Sequence, residues 1–258
     1  MKLVLLGDPV SHSLSPAIHN AGLAAAGIEG TYEARRVDED GMREAVSEVR
    51  YGRLDGANVT MPHKHLAFEL ADRVSEDALR SGAVNTFVRA AGEVWGHNTD
   101  IVGLRAVWDE TEFSTSAPVL VLGTGGAAAA AVVARSDAVL FISGRRPEAA
   151  ADVLAVTRTR GEVVPWGSAI AGAVVVNATP IGMKGEALPD GILNGASGLV
   201  DMAYGPEPTP AVLHARATGL PVIDGPGFLL AQAVAAFELW TGVTAPVDAM
   251  RDALHHGE

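Results

Sequence analysis

Short apolar runs rich in Val, Ile and Leu alternate with longer stretches of helical character along almost the whole chain. Leu3–Leu6 reads as a strand, and Pro16–Ala26 as a helix that stops at Gly27. Thr31–Val37 and Gly41–Arg50 repeat the strand–helix pair, and Gly56–Thr60 and Pro62–Ala71 repeat it again. Strands separated by helices predict a parallel sheet covered by helices. Val84–Arg89 and Val94–Gly96, on either side of Ala90-Ala-Gly92, read as a hairpin or two short strands. The polar stretch Asp109–Ala117, closed by Pro118, precedes a second series. There, strand Val119–Leu122 leads into helix Gly126–Ala134, and strand Val139–Ser143 into helix Pro147–Thr157. Val163–Val164, Val174–Val176 and Leu199–Val200 are further short strands, and helices Phe228–Thr241 and Val247–His255 close the chain.

The pattern predicts an α/β protein of two lobes with a boundary near Asp100–Val107. A chain of 258 residues is long enough for two modest cores. It has no cysteine, which excludes disulfides, Cys-ligated zinc, Fe–S clusters and thiol nucleophiles. Nineteen Lys and Arg against 31 Asp and Glu give a formal charge of −12. That balance argues against broad binding to nucleic acid or anionic membranes, and leaves room for a local basic site that takes a small anion. The opening apolar run meets Gly7-Asp-Pro9 at once and reads as a strand. No stretch reads as a membrane span, and the expectation is a cytoplasmic protein.

Val119-Leu-Val-Leu-Gly-Thr-Gly-Gly-Ala127 is the clearest nucleotide signal. It follows a predicted strand and opens a predicted helix, where glycines let backbone N–H groups approach a diphosphate. The plainer reading is a glycine turn in an ordinary βα unit. At the end of the next strand an NAD site usually carries Asp or Glu; this chain has Ser143-Gly-Arg-Arg146. A guanidinium there grips a 2′-phosphate, which favours NADP, with NAD the alternative. Lys64 follows Pro62, placed as the first helical residue, so its cation opposes the helix dipole, a setting suited to an acid–base amine. Asp100 precedes the helical run Ile101–Trp108 and reads either as its N-cap or as a partner for Lys64. Ser15 before Pro16 reads as an N-cap. In an extended segment Ser13 and Ser15 face one way and suit a small carboxylate. The histidines His12, His19, His63, His65 and His97 are scattered, read as structural or surface groups, and predict no metal.

Eight segments, in order from end to end, together resemble the shikimate dehydrogenase family. They are Gly7-Asp-Pro-Val-Ser-His-Ser-Leu-Ser-Pro-Ala-Ile-His-Asn20, Gly56-Ala-Asn-Val-Thr-Met-Pro-His-Lys64, Gly82-Ala-Val-Asn-Thr86, Asn98-Thr-Asp-Ile-Val-Gly103, Gly123-Thr-Gly-Gly-Ala127, Asn177-Ala-Thr-Pro-Ile-Gly-Met183, Asp201-Met-Ala-Tyr204 and Asp224-Gly-Pro-Gly-Phe-Leu-Leu-Ala-Gln232. The resemblance implies a substrate-binding lobe over residues 1–101, a Rossmann-like NADP lobe over 102–226, and C-terminal helices, 227–258, that return to the first lobe. It implies the reversible reduction of 3-dehydroshikimate to shikimate by NADPH, in aromatic amino-acid biosynthesis, by a monomer or homodimer.

Carried over by position, Lys64 and Asp100 are the catalytic pair. Ser13 and Ser15 bind the substrate carboxylate, and Thr60, Asn85, Tyr204 and Gln232 line the substrate site, with Asn58 added. Gly123, Gly125, Gly126 and Ala127 cradle the cofactor diphosphate. Ser143 and Arg145 lie at the 2′-phosphate, and Thr179, Met202 and Gly227 border the nicotinamide. Where the family carries Asn-Arg-Thr and a further Arg, this chain has Gly144-Arg-Arg146 and then Ala149, and its usual Gly-Leu-Gly-Met is here Gly225-Pro-Gly-Phe228. The competing readings are a quinate or aminoshikimate dehydrogenase of the same family, using NAD, and a non-catalytic sensor of a shikimate-like ligand.

Overall fold

The computed structural model describes residues 1–111 and 113–254; His255, the end of the last helix expected from sequence, lies outside them. The chain divides into two compact units, Met1–Thr99 with the chain from Gln232 onward, and Asp100–Ala231.

In the first unit the elements run β1 (Lys2–Gly7), α1 (Ser15–Ala25), β2 (Thr31–Arg36), α2 (Glu39–Arg50), β3 (Gly56–Val59), α3 (Lys64–Leu70), β4 (Arg73–Val74), α4 (Glu76–Ser81), β5 (Thr86–Ala90) and β6 (Glu93–His97). Their sheet order is β2-β1-β3-β5-β6-β4. The first three strands are parallel, as the βαβ pattern predicts, but the sheet is mixed, because β5 runs antiparallel to both β3 and β6. The reversal between β5 and β6 has a local reason. Ala91 and Gly92, both at positive φ, join β5 to β6 in a two-residue turn, and such turns connect only antiparallel neighbours. α2 shows how the core is made: Met42, Ala45, Val46 and Val49 form one buried face, and the Asp38 carboxylate accepts from the Gly41 N–H to start the helix. These side chains join Val4, Leu6, Val59, Val84 and Phe87 in one apolar cluster.

The second unit takes in α5 (Thr99–Asp109) from its second residue, then β7 (Val119–Leu122), α6 (Gly126–Ala134), β8 (Leu140–Ser143), α7 (Pro147–Thr157), β9 (Glu162–Val163), β10 (Val174–Asn177), β11 (Gly198–Asp201), α8 (Pro210–Ala217) and β12 (Val222–Ile223). Helix α9 (Gly225–Thr241) begins in this unit and ends in the first, where α10 (Val247–Asp252) packs against α1. The sheet is wholly parallel, in the order β12-β11-β10-β7-β8-β9. Counted from β7 and read from the β9 edge, that is the doubly wound order 3-2-1-4-5-6, whose direction reverses between β7 and β10. Both of these strands are buried at every residue, with apolar clusters on the two faces of the sheet.

Elements without an expectation from sequence are all short. β4 and β12 have two residues each, α4 six and α8 eight, too few to establish a period. Among the described residues no helix is long and apolar enough to cross a membrane.

Candidate functional site

The first unit buries a continuous set of amide and hydroxyl groups. Asn58, on β3, donates its amide hydrogens to Thr86 Oγ1 (3.0 Å) and the Asn85 carbonyl (3.2 Å), while its Oδ1 accepts from the Tyr32 hydroxyl (2.7 Å). Asn85 Oδ1 accepts from Thr86 Oγ1 (2.9 Å) and from the Thr99 N–H (2.7 Å). The Thr99 hydroxyl lies 3.1 Å from Asn85 Oδ1 and 3.5 Å from Gln232 Oε1. Of the predicted substrate residues, the fold thus joins Asn58, Asn85 and Gln232 in one network, and β3, β5, the start of α5 and α9 supply its members. Both amide hydrogens of Asn58 are committed within it, so this residue holds Asn85 and Thr86 in place. Tyr32, Thr86 and Thr99 were missed by sequence reasoning. Thr86 and Thr99 each adjoin a residue that was singled out, and their complete burial is the signal.

Ser13 and Ser15 do not lie on an extended segment. Leu14 between them is helical, and α1 begins at Ser15, so Ser15 is not its N-cap; Ser13 Oγ accepts the Ser15 N–H (3.2 Å) instead. The helix starts early because Ser13 supplies that acceptor. Lys64 is itself the first residue of α3, and Pro62 belongs to the turn before it, closed by the His63 N–H on the Thr60 carbonyl (3.0 Å). The buried His63 ring donates through Nε2 to the Val37 carbonyl (2.9 Å), and the Val84 N–H donates to the Lys64 carbonyl, so the backbone at Lys64 is pinned from two sides. Asp100 is likewise inside its helix, in the first turn of α5, and not at the cap; it is 4% exposed. Lys64 lies in the first unit and Asp100 opens the second.

In the second unit, the loop after β7 stands at the reversal point of the sheet, where such folds take ligands. Gly123 has φ +122°, and a Cβ on it would lie 2.7 Å from the Ala178 carbonyl oxygen at the end of β10, so only glycine fits. Gly125 is the N-cap of α6 with no side-chain cap, and a Cβ there would meet nothing within 4 Å. Open space in front of uncapped helix N–H groups suits a diphosphate, with Gly126 and Ala127 in the first turn. After β8, Arg145 and Arg146 are exposed, and their side chains make no ion pair or hydrogen bond among the described residues. They fit a 2′-phosphate. Ser143 does not reach outward: it is fully buried and donates to the Pro165 carbonyl (3.1 Å).

Thr179 follows β10, with its hydroxyl donating to Asn177 Oδ1 (2.6 Å) and accepting the Ile181 N–H. Its methyl would be 3.3 Å from a Cβ on Gly123, so it presents shape to the glycine loop. Met202 and Tyr204 are half-buried on the turn after β11. The Gly227 N–H donates to Asp224 Oδ1 (3.0 Å), a cap that starts α9 three residues before the expected Phe228. Asp201, at the end of β11, is fully buried; burial pushes its carboxyl above the usual carboxylate range, against hydrogen bonds from Thr209, Asn177 and Ala203.

Residues 5–87 match the family described as the shikimate dehydrogenase substrate binding domain, and residues 225–255 that described as the shikimate 5′-dehydrogenase C-terminal domain. The shikimate dehydrogenase (NADP(+)) of Desulforamulus reducens is 37% identical over 97% of this chain and 93% of its own length. That of Acidiphilium cryptum is 40% identical with the same coverage. The crystal structure of shikimate 5-dehydrogenase from Thermus thermophilus in complex with NADP(H) and shikimate is 33% identical, covers 100% of both chains and superposes with a TM-score of 0.91. On this near-full-length similarity in sequence and fold, the chain belongs to the shikimate dehydrogenase family.

Proposed function

We propose that this protein is an NADP-dependent shikimate dehydrogenase that interconverts 3-dehydroshikimate and shikimate. The supporting observation is identity of 36–40%, over 97% of the chain, to enzymes named for that activity, in a chain that offers each part of the chemistry. When bound, NADPH supplies the hydride that reduces the ring carbonyl. Reduction makes an alkoxide, which needs a proton and a positive charge beside it. Lys64, as an ammonium, donates that proton through Nζ, and in the reverse direction its neutral amine accepts the hydroxyl proton. Asp100 accepts from a substrate hydroxyl. Ser13 and Ser15 hold the ring carboxylate. Asn85 and Gln232, fixed by the network through Thr86 and Thr99, align the remaining hydroxyls, with Thr60 and Tyr204 completing the site. Glycines 123, 125 and 126 with Ala127 receive the diphosphate, Arg145 reads the 2′-phosphate, and Thr179, Met202 and Gly227 bound the nicotinamide.

The test is steady-state turnover of shikimate and quinate, each with NADP+ and with NAD+. Shikimate with NADP+ is expected to be the best pair. Strong quinate oxidation with NAD+ and negligible shikimate turnover with NADP+ would assign the quinate activity instead, and binding of shikimate with no change in nicotinamide absorbance would make the protein a sensor.

A further inference from the structure

Two loops that the proposed function assigns to the cofactor and substrate leave adjacent strands side by side. Asn177 and Asp201 are the last residues of β10 and β11 and stand directly opposite in the register. Asn177 Nδ2 donates to Asp201 Oδ1 (2.8 Å) and to the Ile181 carbonyl (3.0 Å). Asn177 Oδ1 accepts from both the N–H (3.1 Å) and the hydroxyl (2.6 Å) of Thr179. The same Asp201 Oδ1 accepts from the Ala203 N–H (3.1 Å), and Oδ2 accepts from the Thr209 hydroxyl. Thr209 Oγ1 in turn accepts the Val212 N–H and caps α8 (3.2 Å). One buried carboxylate therefore gathers four pieces of chain: the end of β10, the 178–181 turn through Asn177, the turn after β11, and the start of α8. The first turn borders the glycine loop, where a Cβ on Gly123 would meet the Ala178 carbonyl oxygen (2.7 Å) and the Thr179 methyl (3.3 Å).

We propose that Asp201 is a positioning residue for the cofactor, holding the 178–181 and 202–204 turns in register through Asn177 so that the glycine loop keeps its shape. The inference rests on the reading of the second unit as the NADP site. Asp201 touches no ligand in this account and acts only through Asn177, Ala203 and Thr209. An isosteric amide at position 201 keeps its oxygen for Asn177 Nδ2 and the Ala203 N–H and sets its NH2 only against the Thr209 hydroxyl, whereas alanine removes the acceptor and breaks the chain that reaches Thr179.

The experiment measures NADP+ dissociation constants by titration calorimetry on the purified full chain, beside kcat, KM for each substrate and the melting temperature. Asp201→Ala is expected to weaken NADP+ by about tenfold or more and to lower kcat, since small displacements of positioning groups cost that much. Asn177→Asp alone also weakens NADP+, because it sets two carboxyl groups against each other. The double variant Asn177→Asp with Asp201→Asn restores an amide–carboxylate pair in the opposite sense and is expected to recover part of the loss. Thr179→Val, on a partly exposed turn, guards against misfolding: it removes only the outer end of the chain and is expected to weaken NADP+ while melting as the wild type does. Unchanged NADP+ affinity in Asp201→Ala and Thr179→Val, with wild-type turnover of shikimate intact, overturns the inference and leaves the proposed function standing. A double variant no better than Asn177→Asp alone also overturns it. Absence of wild-type turnover with NADP+ sinks the functional reading instead.

Discussion

An acid–base lysine and one that merely attracts the substrate differ in how their loss divides between kcat and KM. Lys64→Ala is expected to lower kcat by about 10²–10⁴-fold with little change in shikimate affinity. Near-normal kcat would remove Lys64 from the proton transfer. Arg145, with no protein partner among the described residues, is expected on replacement by Ala to weaken NADP+ far more than NAD+; equal weakening would show that it does not read the 2′-phosphate. His19 has a quite different place. It is wholly buried, stacked on Tyr32 with ring centroids 4.4 Å apart and tilted against Trp240, and neither ring nitrogen has a hydrogen-bond partner among the described residues. Burial holds its pKa down to about 3, from 6.5 for a free ring. The unfolded chain therefore takes up a proton below 6.5 that the folded chain refuses, so this residue subtracts stability as pH falls from 6.5 towards about 3. The loss is about 1.4 kcal/mol per pH unit within that window and nil above it. Urea midpoints at roughly pH 7 and pH 5 should converge in His19→Phe relative to wild type. A wild-type difference that persists unchanged in the variant would show that other groups set the acid lability.

Five helix starts in this protein have a nearby side-chain oxygen that reaches a free N–H group. Ser13 serves α1, Asp38 α2, Ser75 α4, Thr209 α8 and Asp224 α9. Such oxygens can be named from sequence but not chosen among, which is why α1 begins at Ser15 and α9 at Gly225, one and three positions before where spacing put them. Strand edges are settled similarly. Asn20, on α1, donates to the Tyr32 carbonyl and accepts the Tyr32 N–H (2.9 and 2.8 Å), so one side chain stands in for a missing strand beside β2. Asn20→Ala is expected to destabilise the protein by about 1–3 kcal/mol, since two backbone groups lose their partners. Asn20→Asp, which keeps only the acceptor, should fall between. Chemical denaturation of the three proteins tests the order; an alanine variant as stable as wild type would mean water replaces the amide at no cost.

For the molecule as a whole, the residues proposed to bind NADP+ belong mainly to the second unit and those proposed for shikimate mainly to the first. Hydrogen exchange should therefore separate the ligands: NADP+ alone is expected to slow amides in residues 119–146 and 174–183, and shikimate alone those around residues 85–99. At about 100 times its Kd either ligand adds about 2.7 kcal/mol of apparent stability. Protection by NADP+ that fell on residues 85–99 and not on 119–146 would contradict the assignment of the units. The alternation of strand and helix, the hairpin at residues 90–92, the glycine loop and the paired arginines were all legible in the chain itself, because each depends on periodicity or on backbone chemistry a few residues long. The order of the strands, the antiparallel pairing of β5 with β3, and the networks around Asn85 and Asp201 join residues up to 133 positions apart. No local pattern encodes those distances; a buried amide or carboxylate acquires its role only when folding removes water and leaves other parts of the chain as its hydrogen-bond partners.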